Sequence, residues 1–212
     1  MGTTEIVVVA TFVVLLMAGL AAGIRQGAQH REQMARFAAS HGYRPATGDP
    51  QLAALLEQVS ADSRWRPSIT LAGAAPAPFY FFAAQMRPQE ATSRYASNVH
   101  ACLVRNEGGP PSQVSVFTRT PGGDRLLSDR VELGSEAFRS KFTVSARDPR
   151  VAAQVVSPGI EALLAEHAAG RNWYITIDIG PRGVLAYSHW AATEADWDYL
   201  IGFTQRVNAL VH

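Results

Sequence analysis

The sequence contains a single cysteine, Cys102. No disulfide can close within the chain, so it is not one of the stapled scaffolds common among small secreted domains, and a reducing compartment suits it. Lysine is almost missing: of nineteen basic residues only Lys141 is not Arg, and eighteen acids leave a formal net charge of +1. So small a charge gives no field to draw nucleic acid, and no nucleic-acid partner is expected. The Arg and Ala usage reads as the mark of a GC-rich bacterial genome. Asn-x-Ser/Thr sequons are absent, as are HExxH, CxxC, GxSxG, GxxxxGK[S/T] and GxGxxG. These omissions remove the motif-based cases for a zinc protease, a dithiol oxidoreductase, a serine hydrolase, a phosphate-loop NTPase and a dinucleotide enzyme. No catalytic residue, metal or cofactor is assigned.

What the sequence does have is one long apolar run. Ile6 to Ile24 is nineteen residues with Thr11 as its only polar side chain. As a helix it would measure ~28 Å, close to the ~30 Å of a bilayer's hydrocarbon core. It shows no polar stripe, as a surface helix would, and Glu5 is the only charged side chain before it, where an export signal needs positive charge. Arg25, Arg31 and Arg36 follow the run. Basic residues beside a span stay in the cytoplasm. The expectation is a single-pass inner-membrane protein with its N-terminus outside and its C-terminal domain cytoplasmic. Arg25, Arg31 and Arg36 would then meet lipid headgroups. Ala18, Gly19, Ala22 and Gly23 form small-xxx-small pairs, which would dock the span on a partner helix.

Three segments follow: residues 1–24 as tail and anchor, 25–62 as a juxtamembrane helix and a second helix, and 63–212 as an α+β cytoplasmic domain. Met34, Phe37, Ala38 and His41 make an apolar stripe in a helix ended by Gly42. Asp49 and Pro50 open another over 48–60. From Ser63 the period changes, and strands are expected at 66–73, 78–86, 95–106 and 112–120, with a fifth at 125–133. Their short connections imply antiparallel pairing. "FYFF" (79–82) is apolar on both strand faces, as in a central strand covered on each side.

The last third mixes types. A strand is expected at 140–146, helices at 147–157 and 158–170, a hairpin from 172–180 and 184–191 around "GPRG", and a final amphipathic helix from Glu194 to Leu210. Thr193 and Asp196 have capping-box spacing, and Trp197, Leu200, Ile201, Thr204 and Val207 form the helix's buried stripe. The fold class expected is α+β: a transmembrane helix, then antiparallel sheet packed by helices.

The stretch "FRSKFTVSARDPRVAAQVVSPGIEALL" (138–164) resembles a motif of uncharacterised bacterial single-span membrane-anchored proteins. Phe138, Phe142, Val144, Asp148, Ala152 and Pro158 carry the likeness, and "FAASHGYRPATGD" (37–49) resembles the segment after their anchor. The resemblance implies an anchor, a linker helix and an α+β domain, and no activity.

Several residues have chemistry to offer. His100 and Cys102 share a strand face, but a Cys nucleophile needs a base and an orienting group, and Cys is among the most buried residue types. Asp178 interrupts the apolar strand "YITIDIG"; alternation gives Ile175, Ile177 and Ile179 to the apolar face and turns Asp178 with Tyr174 and Thr176 to a wetter one. His189 with Asp196 or Asp198 is a weak cation set. His30, His41, His167 and His212 are expected at helix surfaces or ends. The function expected is a non-catalytic accessory subunit of a larger integral-membrane complex, with other membrane-protein subunits and the lipid bilayer as partners and a respiratory or photosynthetic assembly as its natural host. The alternatives are a stand-alone membrane-tethered binding or signalling module and a membrane-bound enzyme of unrecognised type.

Overall fold

The computed structural model describes residues 17, 25–60, 63–88, 97–119, 129–171 and 173–211. Chain contacts divide it into two units, Met1–Gly42 and Tyr43–His212. In the first, residues 25–41 form helix α1, ended by Gly42 at φ 68°, a conformation that glycine adopts freely. Met34, Phe37 and Ala38 are buried, while Arg25, Arg31 and Arg36 are exposed.

The second unit is built on one nine-stranded antiparallel sheet in the order β1-β2-β3-β4-β9-β8-β5-β7-β6. The strands are β1 (Arg44–Pro45), β2 (Ser63–Gly73), β3 (Phe79–Pro88), β4 (Ser97–Arg105), β5 (Val114–Thr118), β6 (Arg130–Val131), β7 (Phe142–Ala146), β8 (Thr176–Gly180) and β9 (Gly183–Ser188). The helices are α2 (Pro50–Val59), α3 (Glu136–Lys141), α4 (Pro149–Val155), α5 (Pro158–Gly170) and α6 (Glu194–Leu210). Five of the helix starts follow from side chains that accept the first free backbone N–H groups: Asp49, Ser135, Asp148, Ser157 and Thr193. Proline holds the first turn of α2, α4 and α5, and Thr193 and Asp196 close a full capping box on α6.

Register explains which helix covers which face. One row across the sheet reads Phe81, Cys102, Ala186, Ile177, Val116, Val144. It is apolar throughout; α6 packs over β4 and β9, and α3 and α4 over β7. The adjacent row lies on the opposite face and reads Tyr80, Leu103, Leu185, Asp178, Ser115, Ser145. Its apolar half is covered by Leu52, Leu56 and Val59 of α2. Its polar half begins at Asp178, where α2 ends. "FYFF" fills a central strand: Phe79, Tyr80, Phe81 and Phe82 are all buried, the odd and even positions on opposite faces.

The membrane-spanning part of the expected fold does not stand. The apolar run at 6–24, with Ala18, Gly19, Ala22 and Gly23, lies outside the described residues apart from Met17. No described helix is long and apolar enough to cross a membrane. The physical reason is plain in α1 and α6: α1 carries Arg25, Arg31, Glu32 and Arg36, and α6 is seventeen residues opened by Glu194 and Asp196, whereas a span needs about 20 apolar residues. The fold class is corrected to α+β around one large antiparallel sheet. The single-pass inner-membrane placement, with the N-terminus outside and the C-terminal domain cytoplasmic, is set aside with it.

Candidate functional site

Among the described residues the candidates with chemistry to offer have defined places, and His212 lies outside them. Cys102 is fully buried under α6, and burial pushes its thiol up to about 12, against which a hydrogen bond with Thr204 works in the opposite sense. A thiol held protonated is neither a nucleophile nor a ready metal ligand. His100 shares that face and is packed in rings, parallel to Phe81 at 6.1 Å between centroids and tilted on Trp197 at 5.2 Å. His189 Nδ1 lies 3.2 Å from the Asn98 carbonyl, and Asp196 is committed to the α6 cap and to Arg171. Among the described residues no group of three or more His, Cys, Asp or Glu is placed to hold a metal ion. Arg36 pairs with Glu32 at 3.2 Å on exposed α1.

Asp178 departs from expectation. It faces the side of Tyr174 and Thr176, yet it is buried, because the C-terminal end of α2 lies over it. Ser60, the C-cap of α2, donates its hydroxyl to Asp178 Oδ2 at 2.6 Å, and Ser115 of β5 donates to Oδ1 at 2.6 Å. Gln113 in turn donates to the Ser115 hydroxyl at 3.1 Å. The carboxylate therefore ties a helix end to two strands. Burial pushes the Tyr187 phenol well up, and the charge of Asp178 adds to this. Beyond Ser115 a polar cleft of about 250 Å³ opens, lined by Gln58, Ser112, Gln113, Ser145 and Arg147 among others. It presents hydroxyls and amides, and Asp178 beneath it is engaged by two hydroxyls.

A second polar network was not legible as such. His167 is buried, not on the helix surface where it was expected. The carbonyl of Trp173 can only accept, so His167 Nε2 donates to it at 3.1 Å; Nδ1 then accepts from the Tyr199 hydroxyl at 3.0 Å. Burial lowers the His167 pKa; the Trp173 carbonyl opposes this, and the charge of Arg171 adds to it. Trp173, Tyr199 and Phe203 pack about the imidazole, and the Arg171 guanidinium lies 4.4 Å from the Tyr199 ring centroid. A signal existed: Ile160, Leu163, Leu164 and His167 follow helical spacing on one stripe of α5. Ser60 and Ser115 gave none, since their link to Asp178 spans 118 and 63 residues.

No family model matches the chain, and no curated protein matches it in sequence. Among solved structures it is similar to the crystal structure of the mycobacterial trehalose monomycolate transport factor A, with a TM-score of 0.59. The similarity covers 85% of this chain and 93% of that one at 12% sequence identity. So low an identity shows a shared fold.

Proposed function

We propose that this chain is a non-catalytic accessory factor of a membrane transport assembly, one that moves an amphipathic cargo such as a glycolipid. The observation that carries this reading is the employment of three reactive candidates among the described residues in packing: the Cys102 thiol is buried and its pKa pushed up, Asp178 clamps α2, and His167 is fixed by two partners. A fold shared with a transport factor over most of both chains supports it. Such a protein acts through what it binds. Its partners are membrane proteins that move the cargo, and its own chemistry stays silent.

The test is deletion of the gene followed by lipid analysis of the cell surface. Loss of a surface glycolipid with accumulation of its precursor is expected, and Cys102→Ala expressed at normal level should restore transport fully. An unchanged lipid profile on deletion, or a folded Cys102→Ala protein that fails to restore it, overturns the reading.

A further inference from the structure

The end of α5 and the start of α6 border an open, shallow cleft of about 720 Å³. Its walls are the last turn of α5, Arg171, Trp173, Trp190 and Asp196. Trp190 is 60% exposed, just beyond β9. Its backbone is fixed even so: its N–H donates to the Ser188 hydroxyl at 3.1 Å, and that hydroxyl donates to the Tyr174 carbonyl at 2.6 Å. The indole thus projects from a held backbone.

The cleft's polar groups are of both kinds. Arg171 brings a five-donor fork, one arm of which bonds Asp196 at 2.9 Å. Asp196 and the last carbonyls of α5, which have no intrahelical partner, are acceptors. Trp173 is buried in the wall, its indole Nε1 closed to solvent, and supplies apolar surface.

Charge selects the ligand class. A cation would meet Arg171. An anion would meet Asp196 and the negative end of the α5 dipole. A neutral molecule with many hydroxyls meets neither obstacle and can use donors and acceptors together. One with an apolar C–H face can also lie on the indole. We propose that this cleft binds a neutral sugar ring stacked on Trp190, with its hydroxyls bonded by Arg171 and Asp196. The assignment stands on the cleft alone and does not depend on the accessory reading.

The test is calorimetric titration of the full chain with trehalose and with methyl α-glucopyranoside, in buffer free of sugar-headgroup detergents. Tetramethylammonium chloride and inorganic phosphate serve as charged probes. Saturable binding of at least one sugar is expected, weakened about tenfold or more by Trp190→Ala and largely kept by Trp190→Phe. Because Trp190 is exposed, both variants should keep the native circular dichroism spectrum. Absence of saturable sugar binding, sugar binding equal in wild type and Trp190→Ala, or tighter binding of either charged probe overturns the proposal.

Discussion

At the scale of single residues, the chain's polar interior is built from groups that hold structure. Asp178 is the clearest. Its two hydroxyl donors come from the C-cap of α2 and from β5, so its removal leaves the buried Ser60 and the half-buried Ser115 without this acceptor. Asp178→Ala should lower the unfolding free energy by about 1–3 kcal/mol, read from urea denaturation midpoints; an unchanged midpoint would show that the clamp carries no net stability. His167 makes a pH prediction. Its folded pKa lies below the ordinary 6.5, so between that lowered value and 6.5 the unfolded chain holds a proton that the folded chain does not. Stability therefore rises with pH through this window and falls as the pH drops below 6.5. Denaturation at about pH 7.5 and about pH 5 should show this loss, and His167→Gln should reduce it. An equal loss in wild type and variant would mean that other groups set the acid sensitivity. The sequence placed Asp178 on the right strand face and missed its burial, since what covers that face is a helix over a hundred residues earlier.

At the scale of elements, the strands and caps were the legible part. The alternation in "YITIDIG" and the Asp49, Asp148 and Thr193 caps are local signals, and α5 and α6 begin and end where their Pro, Gly and Thr signals put them. The elements missed are those that local pattern does not mark. β1 is two residues that become a strand only by pairing with Ala72 and Leu71, and α3 is a short helix that lies mostly in a stretch given no element and overlaps the expected 140–146 strand at Ser140 and Lys141. Nothing local reveals that the late hairpin β8–β9 sits between β4 and β5 and joins the strands into one sheet; that is a long-range pairing. This hairpin also shows why glycine flanks its Pro181–Arg182 turn. A Cβ on Gly183 would stand 2.6 Å from the Val104 carbonyl oxygen, and one on Gly180 would stand 3.0 Å from the Gln58 carbonyl oxygen. Backbone at both places leaves no room to yield. Gly183→Ala should therefore destabilise by about 1–3 kcal/mol, measured by thermal or urea unfolding, and wild-type stability in that variant would mean that β4 and β9 can part without cost.

At the scale of the whole molecule, the sheet has one apolar face under three helices and one face that turns from apolar to polar where α2 ends. The apolar run at 6–24 gave the strongest signal in the sequence, yet the described helices contain no membrane-crossing element. A run of hydropathy reports composition, and placement needs the surrounding structure. The candidate ligand cleft was harder to read, because Arg171 with Trp173, Trp190, and Asp196 lie in three local contexts that only the tertiary fold brings together. The central claim is that this protein works by holding a partner. The most direct measurement is affinity purification of the tagged full chain from its own host in mild detergent, with quantitative mass spectrometry of what accompanies it. The account predicts a multi-span transport protein in near-fixed ratio to the chain, retained in equal amount by Cys102→Ala. Recovery of the chain with no protein partner in fixed ratio would contradict it.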